Sequence, residues 1–114
     1  MQRSLLRFEN AIKSEATRKA YHYFLNRFLV WSKINEADGM LQLKDSFIQQ
    51  LLEDYLFHLK RSINPNSIPM FFAPLELFLT MNDKVVNFKK IHKMYPEKGA
   101  KSGKDAYTNQ DIQT

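Results

Sequence analysis

The chain has 114 residues, 44% of them hydrophobic and 25% charged, with no cysteine and a formal net charge of +5. That composition belongs to one globular domain with a real core, and it excludes wholesale disorder, disulfides and thiolate metal sites. The most apolar stretch, IPMFFAPLELFL, carries Glu76 and two prolines and is too short to cross a bilayer, while Arg3, Arg7 and Glu9 interrupt any signal peptide. The expectation is an intracellular protein, cytoplasmic or nucleoid-associated, with no membrane partner.

Four helical segments and no strand are predicted. The first covers about residues 3–12, with Leu5, Phe8 and Ile12 on one side. The second runs over about 16–33, and Ser14 or Thr17 can cap it by accepting the orphan amide hydrogens of its first turn. At ~100° per residue its apolar stripe is Ala20, Tyr21, Phe24, Leu25, Phe28 and Trp31, opposite Arg18, Lys19, His22, Asn26 and Lys33. The third spans about 45–62, with Ile48, Leu51, Leu52, Tyr55 and Leu59 on one stripe and Gln49, Glu53 and Lys60 facing away.

The fourth helix spans about 67–82, with Pro69 suited to its first turn. It carries two apolar stripes: Ile68, Phe71, Phe72, Leu75 and Leu79, and opposite them Met70, Pro74, Leu77 and Met81. Such a helix is either central in the fold or docked on a partner, and the small size of the chain favours the central position. Pro74 is expected to kink it by removing the hydrogen bond to the Met70 carbonyl. Beyond residue 97, Gly99 and Gly103 among lysines read as a flexible linker, and the final TNQDI resembles the capped start of a further helix.

Charge is unevenly placed. Seven lysines and one acid, Glu97, lie between Lys84 and Lys104, so this segment accounts for the whole positive excess. A concentrated positive charge suits a polyanionic partner, nucleic acid first, or else a solvated tail that aids solubility. No catalytic constellation holds together. His58 and Arg61 share a solvated helix flank with no nucleophile or base in view, His22 and His92 lack metal-ligand spacing, and Glu53 and Asp54 point apart. No glycine-rich phosphate loop is present, and neither a cofactor nor a metal is expected.

The order of motifs resembles the core-binding domain of tyrosine recombinases and phage-type integrases, most nearly those of archaeal integrases. Ser14-x-x-Thr17-x-x-x-Tyr21 with Leu25, Phe28 and Trp31 is similar to that domain's first long helix. Ile48, Asp54-Tyr55-Leu56 and Leu59 are similar to the second. Asn64-Pro65-Asn66-Ser67-Ile68 resembles the family's S-P-N-T-I turn, and Asn87-Phe88-Lys89-Lys90-Ile91 with Pro96 resembles its N-W-x-x-I…P exit. Ala106-Tyr107-Thr108 with Ile112 looks like the junction to a catalytic domain. Phe88 departs from the commoner Trp, and Pro69 and Pro74 are unexpected in the fourth helix.

The resemblance implies an all-α, four- to five-helix SAM-like bundle over residues 1–97, and a linker and catalytic-domain start over 98–114. It implies a non-catalytic DNA-binding domain that clamps double-stranded DNA, working with the catalytic domain of the same polypeptide and with other recombinase protomers. Thr17 and Tyr21 match DNA-contacting positions of the family, beside Arg18, Lys19 and His22. Asn66 and Ser67 start a helix whose amides and dipole favour a phosphate. Lys89, Lys90, Lys93, Lys101 and Lys104 complete the set. The rival class is a helical protein-interaction module using the Met70–Leu77–Met81 stripe.

Overall fold

A computed structural model describes residues 2–96, and these form an all-α bundle with no strand among them. The expected linker, with Lys101 and Lys104, lies outside the described residues. Six helices are present: α1 Arg3–Asn10, α2 Glu15–Ser32, α3 Ala37–Leu41, α4 Asp45–Ser62, α5 Ile68–Met81 and α6 Phe88–Lys93, with a 3-10 turn at Pro65–Ser67 before α5. The four predicted segments correspond to α1, α2, α4 and α5. The two additional helices are too short to show a periodic stripe. α3 contains Gly39, where a Cβ would stand 3.2 Å from the Ile34 side chain, so the glycine lets the two segments approach closely.

The caps explain the boundaries. Ser14 Oγ accepts the Thr17 amide at 3.3 Å to start α2, and Asn87 Oδ1 accepts the Lys90 amide at 3.0 Å to start α6. α2 and α5 end alike. Lys33 and Asp83 both sit at φ 63°, and the following amides reach back, Ile34 N to the Leu29 carbonyl and Lys84 N to the Leu79 carbonyl, each at 3.0 Å.

α5 is the hub and packs on α1, α2 and α4. Its first stripe is buried throughout, joined by Phe78. The second stripe divides: Pro74 is buried and Leu77 packs on the core, whereas Met70 is 55% exposed and Met81 37%. A central position therefore accounts for the middle of that stripe and not for its ends.

Aromatic rings link the layers, Phe8 to Phe78 with centroids 5.8 Å apart, Phe24 to Phe71 at 4.7 Å and Phe28 to Tyr55 at 5.0 Å. α1 is also held by polar contacts. The Ser4 hydroxyl donates to Asp38, the Asp38 amide to Gln2 Oε1 at 2.9 Å, and Arg7 to Asn82 Oδ1 at 3.2 Å. Asn82 itself is buried and donates to the Phe78 and Ser4 carbonyls.

α6 lies across α4 and α5 and anchors through Ile91, which is fully buried. The Asn87 amide donates to Gln49 Oε1 at 2.8 Å, Lys90 Nζ meets Glu53 Oε2 at 3.1 Å, and Lys60 Nζ donates to the Met94 carbonyl at 3.1 Å. Gln49, Glu53 and Lys60 thus do not face away as expected, because α6 covers the flank of α4 on which they lie.

Candidate nucleic-acid interface

α2 presents three surfaces. Lys19, Tyr23, Asn26, Arg27, Val30 and Lys33 are exposed and fall within ~120° of arc at 100° per residue. Glu15 is the only acid in the helix, and it lies in the first turn. Glu15 falls at the edge of this arc, one turn before Lys19, and is paired with Arg18; from Lys19 onward the outer face carries three cations and an amide with no further acid of α2.

The flank toward α1 is different. Arg18 donates to Glu15 Oε1 at 2.8 Å and to the Ile12 carbonyl at 3.1 Å, which ties the end of α1 to the start of α2. His22 Nε2 lies 2.8 Å from Glu9 Oε2, with its ring edge-on to Phe8 at 5.4 Å. Both were expected to face a groove or phosphates; His22 is instead engaged by α1, and Arg18 by its own first turn and the α1–α2 connection. The helical wheel of α2 alone could not reveal this, because the neighbour that claims this flank lies in a separate segment.

The third surface faces the core. Tyr21 is half-buried with its ring 6.3 Å from Phe8. Thr17 is exposed but belongs to the same side of the helix as Tyr21, about 160° around from Lys19. The fold thus separates the residues predicted on α2, and of them only Lys19 lies on the outer face. Tyr23 and Arg27 were missed. Arg27 is held above two rings, 5.8 Å from the Tyr23 centroid and 5.2 Å from that of Phe71, and donates to the Tyr23 hydroxyl at 3.2 Å. The i, i+4 spacing of an exposed tyrosine and arginine was the available signal.

The start of α5 is poorly supplied for a phosphate. The Asn66 amide donates to Asn64 Oδ1, the Ser67 amide to the Asn64 carbonyl and the Ile68 amide to the Pro65 carbonyl, while Pro69 has no amide hydrogen. The donors expected there are already engaged by the turn itself.

On α6, Lys89 and Lys93 are exposed four residues apart, and Lys90 is paired with Glu53. His92 Nε2 stands 3.3 Å from Glu76 Oε1, and Lys84 meets Asp45 at 3.1 Å. Hydrogen bonds from Gln49 and then Lys90 hold Glu53 below the ordinary carboxylate range, as those from Lys84 and the Val85 amide do for Asp45. α6 meets α5 through Glu76 and, at the following turn, Phe72, whereas α2 meets it through Phe71. The two cationic surfaces are on different sides of α5.

Between α2 and α4 runs an open groove of about 410 Å³, lined by Tyr23, Asn26, Arg27, Val30, Trp31, Tyr55, His58 and Leu59. His58 was expected to be solvated beside Arg61. Arg61 is exposed, but the His58 ring is half-buried and stacks on Trp31 with centroids 5.8 Å apart. A smaller groove of about 290 Å³ between α2 and α5 is lined by Ala20, Tyr21, Phe24, Pro69, Met70 and Ala73.

Among the described residues no group of three or more His, Asp or Glu side chains is placed to hold a metal, and no helix is long and apolar enough to cross a membrane. Comparison with known proteins finds no family model, no curated protein and no solved structure that matches the chain.

Proposed function

We propose that this chain is a non-catalytic, double-stranded DNA-binding domain of the kind that tyrosine recombinases use to clamp a recombination site. The observation that carries the reading is the outer face of α2, where Lys19, Arg27 and Lys33 flank Asn26 and form no ion pair among the described residues. A helix ~10–12 Å across with cations on one face fits a major groove, its lysines and arginine reaching phosphates on either side. An asparagine amide between them suits an adenine edge. In this reading a catalytic domain on the same polypeptide and further protomers on the DNA supply cleavage and joining.

The test is fluorescence anisotropy with a labelled duplex across a salt series. Log affinity should fall by about 0.9 for each phosphate neutralised as log salt rises. Affinity that stays flat from low to moderate salt would overturn the reading. The small apolar groove with Met70 at its edge favours a second reading, a protein-docking module, whose binding would be the salt-insensitive one.

A further inference from the structure

The groove between α2 and α4 contains polar groups that the fold leaves without partners. Tyr55 is 2% exposed, yet among the described residues its hydroxyl has no hydrogen-bond partner. Tyr55 lines the groove together with Arg27 and Tyr23. A buried hydroxyl is normally paired, because leaving it unpaired carries a desolvation penalty. The indole N–H of Trp31, the Asn26 amide and the His58 ring nitrogens likewise bond to nothing among the described residues.

These groups define what the groove can accept. The walls are flat rings: Trp31 and His58 are stacked within 29° of parallel, and Tyr55 lies 4.9 Å from Trp31. Trp31 and Arg27 can only donate, and the Tyr55 hydroxyl can donate as well as accept. The Tyr55 phenol, pushed up to about 12 by burial, keeps its proton across the physiological range and has it to donate. Among the described residues no acid lines the groove, and the exposed Arg27 is part of its lining. A volume of about 410 Å³ is at the small-ligand end of binding clefts. A planar ring that bears acceptors and an attached anion matches every one of these features.

We propose that this groove binds one unpaired nucleotide, with its base against Trp31 and His58, a base acceptor on the Tyr55 hydroxyl, and its phosphate at Arg27. The proposal rests on the nucleic-acid reading above and narrows it. A base inside a duplex shows only its edges, so stacking on these rings requires a nucleotide that has left its pair.

Trp31 is the only tryptophan of the chain, so its emission reports on the groove directly. The intact chain is titrated with dAMP and dTMP, with an oligothymidylate, with a paired duplex and with the same duplex carrying a single-nucleotide bulge. The oligothymidylate and the bulged duplex should quench Trp31, the bulge improving on the paired duplex by about tenfold. Mononucleotides should quench weakly and compete, which distinguishes a nucleotide within a chain from a free one. Tyr55→Phe should weaken the bulged duplex by about five- to tenfold and leave the melting temperature and paired-duplex affinity unchanged. His58→Ala should weaken it by about five- to a hundredfold, the range for losing one stacking ring.

A paired duplex that binds as well as the bulged one, or a quench that Tyr55→Phe leaves intact, overturns the nucleotide site and leaves the duplex reading standing. Quenching by oligothymidylate with no duplex binding does the reverse. Equal quenching by a polyglutamate peptide of matched charge overturns the proposal, because it would show that the groove reads charge alone.

Discussion

α2 and α6 both carry positive charge, and they carry it differently. On α6 and its approach, Lys84 is paired with Asp45, Lys90 with Glu53, and His92 stands against Glu76, so much of the charge secures the helix to the bundle. On the outer face of α2, Lys19, Arg27 and Lys33 form no ion pair among the described residues. The lysine-rich stretch that dominates the charge distribution is therefore the less available of the two in its described part. Local density of lysines does not measure the field offered to a partner; the acids of neighbouring helices decide how much remains.

Removing the anchor of α6 gives the largest effect. Ile91→Ala should cost about 2–5 kcal/mol of stability in urea unfolding, because a fully buried aliphatic side chain leaves a cavity. A much smaller loss would mean that α6 is held by its ion pairs and not by its core contact.

Charge reversal separates the two surfaces by binding. Lys19→Glu with Arg27→Glu should weaken duplex affinity by about a hundredfold at low salt, and Lys89→Glu with Lys93→Glu by severalfold, both read by anisotropy. The opposite ranking would move the interface to α6. A finer version uses Lys33, which occupies the left-handed region at φ 63°. Asparagine tolerates that conformation, so Lys33→Asn should leave the melt nearly unchanged while the slope of log affinity against log salt drops by about 0.9.

The pairs beneath α6 are worth less. Lys90 is more than half exposed, so Lys90→Ala should cost at most about 0.5–1 kcal/mol. Because Glu53 is held below its ordinary pKa, it contributes stability above that pKa, and the contribution is lost as pH falls through it towards the folded value. Gln49→Ala should flatten this acid limb more than Lys90→Ala, since the Gln49 hydrogen bond is the larger cause. At the alkaline end, Tyr55 and Tyr95 are raised to about 12, both chiefly by burial. The unfolded chain then releases these protons first, and stability should decline as pH climbs from about 10 towards 12, as followed by circular dichroism.

The sequence by itself determined the elements that carry a long periodic stripe. The whole of α4, the capped start of α2, the place of Pro69 and the buried stripe of α5 all follow from spacing and capping chemistry, because the hydrophobic period and the orphan amides of a helix end are local properties. The central position of α5 was also legible, from apolar residues on both of its sides. Tertiary structure alone decided which polar faces stay open. Arg18 was withdrawn by the α1–α2 connection, His22 by α1, Gln49, Glu53 and Lys60 by α6 and the turn after it, and His58 by Trp31, leaving Lys19, Arg27 and Lys33 on the outer face. A polar side chain carries no mark of its future neighbour. Whether it meets water, an acid or a ring depends on which distant segment the core packing brings beside it.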